Sequence, residues 1–89
     1  MADKRIRLTA HAAQVMAERG LREEWITEVL YHPIETEPDP TQLGAMRAFG
    51  PVAAFGNRIL RVVYYDDPDE YRIITAFFDR GWSKRSNAT

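Results

Sequence analysis

Three arginines stand inside apolar stretches in the second half of this chain. Arg47 is followed by Ala-Phe-Gly, Arg61 by Val-Val-Tyr-Tyr and Arg72 by Ile-Ile-Thr. Burying an unpaired guanidinium is strongly unfavourable, so each must face water, pair with a carboxylate or bind an anionic ligand. Because a guanidinium grips carboxylate or phosphate through two parallel hydrogen bonds, the candidate chemistry is binding or cleavage of something charged. The alternative is cross-strand pairing with Asp or Glu, with the segment 66–70 as a partner for Arg72.

Two histidines, His11 and His32, are the other groups that could move protons or bind metals. His11 falls in the first turn of a predicted helix, where an imidazole could act as an acid or base near neutral pH. It could equally donate a hydrogen bond to the backbone. His32 precedes a helix-ending proline and is typical of a C-terminal cap. Cysteine is absent and no HExxH-like spacing occurs, so we expect no metal site and no cofactor.

Size and charge limit the classes of function. The 89 residues predict one domain, with a core over about 8–80 and frayed ends at 1–5 and 83–89. The net charge of −1 gives no global attraction to nucleic acid. The charged N-terminus lacks the apolar run of a secretion signal, and no apolar run is long enough to span a membrane. We therefore expect a cytoplasmic protein.

Periodicity and turn signals predict two helices followed by strands. The helices are expected over 10–19, capped by Thr9 and stopped by Gly20, and over 22–31. The strands are expected over 34–37, 45–55, 58–65 and 71–78. This order predicts an α+β domain in which both N-terminal helices pack on one face of an antiparallel sheet of three to four strands. The other face would be open and would carry the site.

The register of the last two strands decides which arginines share that open face. We favour Tyr65 opposite Tyr71, because aromatic residues then pair across the strands. Arg61 and Thr75 would then share the open face, and Arg72 would point to the helix side in a structural ion pair. A slip of one residue would instead place Arg61 and Arg72 on the same face.

Several short motifs occur in an order that resembles a known group of proteins. They are T-x-H-A from Thr9, E-R-G-L from Glu18, H-P at His32, R-x-F-G from Arg47, I-L-R-V-V-Y from Ile59 and R-I-I-T-A from Arg72. Together they span roughly residues 8–78. The first motifs look like the opening of a family of small uncharacterised domains. The later ones are similar to the BrnT-like branch of the RelE/ParE toxin superfamily.

This resemblance implies a fold, an activity and a set of residues. The fold would be RelE-like, with two N-terminal helices on a curved antiparallel sheet. Such toxins typically cleave RNA without a metal and are held inactive by an antitoxin. Carried over to this chain, the matching positions are His11, Arg47, Arg61 and Thr75. Phe77 replaces a basic residue of the pattern, Arg22 replaces a small polar cap, and a lysine-rich surface is missing.

Two hypotheses of different class follow. In the first, the domain is a metal-independent endoribonuclease of a toxin–antitoxin pair, in which His11 is the acid or base, Arg47 and Arg61 stabilise the phosphate, and Thr75 positions it. In the second, it is a non-catalytic interaction module that keeps the toxin-like fold and binds a protein partner. The first is the leading hypothesis, and Phe77 and the near-neutral charge are the features that motivate the second. Direct RNA or DNA binding without cleavage would need a more basic protein.

Overall fold

The computed structural model describes residues 4–82, which form five strands, two α-helices and a short 3-10 turn. In chain order these are β1 (Arg5–Leu8), α1 (Ala10–Arg19), α2 (Glu23–Tyr31), β2 (Glu35–Pro38), β3 (Met46–Val52), the 3-10 turn (Ala53–Phe55), β4 (Arg58–Asp66) and β5 (Glu70–Phe78). Of the predicted frayed ends at 1–5 and 83–89, residues 1–3 and 83–89 lie outside the described residues, and Arg5 is the first residue of β1.

Local signals in the sequence account for both helices. The hydroxyl of Thr9 accepts a hydrogen bond from the N–H of Ala12, and Gly20 ends α1 in the left-handed conformation, with φ of 67°. The predicted bounds of α1 are therefore confirmed. Helix α2 begins one residue later than predicted, at Glu23, because Arg22 is extended and offers no side-chain cap. Its last turn ends beside Pro33, as proline requires.

The sheet is mixed, in the order β1-β5-β4-β3-β2. Strand β1 pairs with β5 in parallel, and all other neighbours are antiparallel. The predicted antiparallel sheet of three to four strands is therefore wrong, and so is the RelE-like arrangement in which the helices come first. The missed strand is β1, which has four residues and pairs with a strand more than sixty residues away. A segment this short carries little periodicity of its own.

One face of the sheet packs against the helices and holds the buried core. The largest fully buried side chains of this core include Ile26, Leu60 and Ile73. Ala12 and Met16 of α1 join the same cluster, as do Val29 and Leu30 of α2. The helices thus cover only this face, and the α+β class is confirmed. Alternate strand residues point to the opposite side, which we call the arginine face because it carries Arg47, Arg61 and Arg72.

A bulge in β5 decides the composition of the arginine face. Arg61 pairs with Phe77 and Val63 with Thr75, but the register then shifts so that Tyr65 pairs with Arg72. Ile74 is the extra residue that produces the shift, and an extra residue reverses the alternation beyond it. The favoured pair of Tyr65 with Tyr71 is therefore wrong, because Tyr71 pairs with Asp66, and the register slipped by one residue is found at Tyr65. Thr75 shares the face of Arg61, and so does Arg72.

Candidate functional site

The structure brings together three of the four predicted site residues. Arg47 and Thr75 both pair with Val63 of β4, from opposite sides, and Arg61 lies two residues before Val63 on the same face. His11 is exposed on α1, in the helix layer on the other side of the sheet. Within residues 4–82 its side chain makes no hydrogen bond or ion pair. Arg47, Arg61 and Thr75 thus form one group on the arginine face, and His11 is separate from this group.

Arg61 is held by a two-pronged ion pair with Asp79. Its Nη2 and Nε donate to the same carboxylate oxygen at 2.6 and 3.1 Å. The guanidinium also lies over the ring of Phe77, 4.6 Å from the ring centroid. Charge-assisted bonds and a cation–π contact thus occupy the group proposed to stabilise a phosphate.

Arg47 is enclosed by two carboxylates at the β2 edge. It forms an ion pair with Glu37, its cross-strand neighbour, and its Nε lies 4.0 Å from Oδ1 of Asp39. Burial acts to raise the pKa of Asp39, but hydrogen bonds from Gln42 and Thr41 and the charge of Arg47 outweigh it, so this pKa is lowered. The carboxylate therefore stays charged beside Arg47 and neutralises it.

Arg72 completes the series of paired arginines. Its Nε donates to Asp67 at 3.0 Å, and its guanidinium stacks over Tyr65 at 4.6 Å. The hydrogen bond from Arg72 lowers the pKa of Asp67, and the same bond raises the pKa of Arg72. The predicted structural pair with the segment 66–70 is confirmed. The predicted orientation toward the helices is wrong, because the bulge turns Arg72 onto the arginine face.

Sequence reasoning missed the residues that cover this face, which we call the closing segment, Asp79–Trp82. The backbone N–H of Asp79 still pairs with Ile59 of β4, and the indole Nε1 of Trp82 donates to Glu35 of β2 at 2.9 Å. The segment therefore runs from β5 across to β2. Phe49 lies on the arginine face between its two cross-strand neighbours, Arg61 and Glu35. It is 0% exposed, although the helices cover only the other face.

A sequence signal for the closing segment does exist. Asp79 is followed by Arg-Gly-Trp, and its Oδ1 accepts the N–H of Gly81 at 2.9 Å. An aspartate that bonds the backbone two residues on is typical of an Asx-turn. This turn, placed directly after an apolar strand, would have marked a change of chain direction at the end of β5.

Residues 4–82 contain neither a cluster of metal-binding side chains nor a membrane-spanning helix. No cluster of three or more His, Asp or Glu side chains that could hold a metal ion occurs in residues 4–82. No helix there is long and apolar enough to cross a membrane.

Fold and site together define a class of protein: a small α+β domain with a mixed five-stranded sheet whose helix-free face carries arginine–carboxylate pairs. The chain belongs to the family described as Domain of unknown function (DUF4258), which matches residues 8–78. Neither the curated proteins nor the solved structures contain a match. Most of β1 and the whole closing segment lie outside the matched residues.

Proposed function

We propose that this domain is a non-catalytic protein-interaction module, whose binding surface is the arginine face. The observation that supports it best is that Arg47, Arg61 and Arg72 are each held by carboxylates of their own chain. Catalytic donors must be free to bind the charge that develops in the transition state. Displacing a carboxylate from such a guanidinium gives up hydrogen bonds of about 1.5–3 kcal/mol each.

The residue types on the arginine face suit contact with another protein. Arg72 stacks on Tyr65, and Arg61 stacks on Phe77. Arginine and aromatic side chains are enriched at interfaces and supply most binding hot spots. The Arg72 side chain is 37% exposed, so it is the arginine of the three most open to a partner. The proposed partner, an antitoxin or another protein, offers a carboxylate-bearing segment that exchanges with Asp67 and Asp79.

Tagged protein expressed in its native cells tests this proposal, with Arg72→Ala and Arg22→Ala as matched variants. Arg22 is an exposed arginine in the helix layer and serves as the control. We expect a protein partner that wild type and Arg22→Ala retain and Arg72→Ala loses. Its affinity should fall as salt rises, since charged contacts are screened. A wild-type protein without a specific partner, or a partner held equally by both variants, would reject the proposal.

A second candidate is a metal-independent ribonuclease of the BrnT-like kind. One observation favours it: Arg47, Arg61 and Thr75 lie next to one another on one sheet face, around Val63. In this mechanism a ribose 2′-oxygen attacks the adjacent phosphate, a base takes its proton, and an acid protonates the leaving 5′-oxygen. Arg47 and Arg61 would stabilise the added negative charge after a conformational change frees them, and His11 would have to approach from the helix layer.

RNA cleavage in the presence of a chelator tests this second candidate, together with growth after induced expression. We expect cleavage that leaves a 2′,3′-cyclic phosphate and falls about 10²–10³-fold in Arg61→Ala. Arg22→Ala is again the control and should cleave like wild type. A folded wild-type protein that neither cuts RNA nor arrests growth eliminates the ribonuclease. That result does not contradict the interaction module, because partner capture is a separate measurement.

A further inference from the structure

A cleft of about 340 Å³ opens where β4 begins and β5 ends, and Asp79, the partner of Arg61, is one of its lining residues. Arg58 at the start of β4 and Arg80 beyond β5 line it, with Ile59 and Phe78 as apolar members. This volume lies within the range of sites that hold small organic molecules. The cleft therefore combines positive charge with room for an organic group.

The two arginines of the cleft differ from those of the arginine face because no carboxylate of residues 4–82 pairs with them. Neither Arg58 nor Arg80 forms an ion pair or a side-chain hydrogen bond within residues 4–82, and both are exposed. The guanidinium of Arg58 stacks over the ring of Phe78, 5.2 Å from its centroid, which restricts its orientation. Two guanidinium forks at one cleft can bind a multidentate oxyanion from two sides.

The acidic residue of the cleft does not cancel this positive charge. Asp79 directs one oxygen to the two donors of Arg61 and the other to the N–H of Gly81. Its side chain is 11% exposed, so little of the carboxylate meets the solvent of the cleft. The charge of Asp79 is thus balanced by Arg61, and the charges of Arg58 and Arg80 remain available.

The turn at the mouth of the cleft carries a further unusual feature. Asn57 is the non-glycine residue with positive φ among residues 4–82, at 63°. Asparagine tolerates this left-handed region better than most residues, yet a conformation of this kind is often retained at functional sites. The Asn57 side chain lines the cleft and makes no hydrogen bond within the described residues, so its amide can donate to a bound anion.

We infer that this cleft binds the phosphate group of a small organic phosphomonoester. Arg58 and Arg80 contact the phosphate oxygens, and Ile59 and Phe78 contact the organic part. This site lies apart from Arg47 and Arg72 and does not rest on the proposed function.

Amide chemical shifts of the full chain test the inference. The protein is titrated with inorganic phosphate, with phenyl phosphate and with sodium chloride at matched ionic strength. We expect saturable shifts at residues 56–59 and 78–80 with both phosphates, tighter binding of phenyl phosphate, and no saturable shifts with chloride. Shifts that chloride reproduces, or phenyl phosphate that binds no tighter than inorganic phosphate, would overturn the inference.

Charge variants identify the binding groups. The double variant Arg58→Gln, Arg80→Gln should bind phenyl phosphate at least about tenfold more weakly, since it loses two charged donors. Arg22→Gln, which removes an exposed unpaired arginine elsewhere, should bind like wild type. If loss of the Arg58 stacking unfolds the double variant, Arg80→Gln alone should still weaken binding several-fold. Equal weakening in Arg22→Gln, or wild-type affinity in Arg80→Gln, would contradict the site.

Discussion

At the scale of single residues, Thr9 ties the first helix to the sheet. Its hydroxyl accepts a hydrogen bond from the N–H of Ala12 at 3.1 Å and donates one to the carbonyl of Ile73 at 2.8 Å. Its backbone N–H also donates to Ile73, at 3.2 Å. Thr9 therefore caps α1 and also fixes the start of this helix beside Ile73, the residue at which the pairing of β1 with β5 ends.

We predict that Thr9→Ala lowers the free energy of unfolding by about 0.5–2 kcal/mol, the range measured for lost N-caps. The Ile73 carbonyl also loses a donor, so the upper part of this range is expected. Thr9→Ser keeps the hydroxyl and is the control, with a loss well below that of alanine. Urea unfolding measures both variants. Equal losses in alanine and serine would show that the methyl group, not the hydroxyl, matters.

Tyr64 gives a prediction about alkaline pH. Burial raises the pKa of its phenol, because the charged form is poorly solvated in the core. The unfolded chain therefore releases this proton at lower pH than the folded one. The stabilisation is complete below the unfolded pKa, near 10, and is lost as pH rises through the folded pKa. Tyr64→Phe should flatten the alkaline fall in melting temperature. An unchanged fall in Tyr64→Phe would refute this origin.

The arginines show what residue types can and cannot reveal. The sequence limited each to water, a carboxylate or a ligand, and the carboxylate alternative is confirmed for Arg47, Arg61 and Arg72. The partner Glu37 follows from strand pairing and Asp67 from a local turn. Asp79 could not be predicted as the partner of Arg61, because that pair depends on where the chain goes after β5. A role for His11, Arg47, Arg61 or Thr75 in catalysis stays a prediction.

At the scale of elements, the sequence predicted α1 and the last two strands well because each carries its own start and stop signals. It failed at β1 and at the bulge for different reasons. The four residues of β1 gain their stability from pairing with β5, which is remote in the chain. The bulge at Ile74 places one extra residue in an otherwise regular apolar strand, and either Ile73 or Ile74 can face the helices, so the apolar pattern does not select the register.

The packing of α2 on β3 leads to a prediction about Gly50. A Cβ atom placed there would lie 3.1 Å from Cγ2 of Val29, closer than most real contacts of such an atom. We predict that Gly50→Ala destabilises by about 1–3 kcal/mol, the usual range for an overpacked core. In a Val29→Ala background the same change should cost less, because the obstructing methyl group is gone. A double-mutant cycle from urea unfolding measures this coupling. Additive losses would show that the helix shifts freely away from the strand.

At the scale of the whole molecule, the sheet has two covers of different kinds. The helices cover one face with apolar side chains, whereas the closing segment covers part of the other through Asp79 and Trp82. The second cover depends on hydrogen bonds to two strands, from Arg61 of β4 to Asp79 and from the indole of Trp82 to Glu35 of β2. It therefore connects the end of the described chain to β2, the opposite edge of the fold from β1.

The last prediction tests whether this second cover stabilises the fold. Asp79→Asn leaves the guanidinium of Arg61 without its counter-charge, and both side chains are largely buried. We predict a loss of about 1–3 kcal/mol in the free energy of unfolding, the range for hydrogen bonds to charged groups. Asp69→Asn, in the exposed turn before β5, is the control and should change stability little. Adding Arg61→Gln to Asp79→Asn should cost less than the sum of the single changes, because the unpaired charge is then removed. If Asp79→Asn is as stable as Asp69→Asn, the closing segment contacts the arginine face without stabilising the fold. A partner segment could then displace it with little loss of free energy.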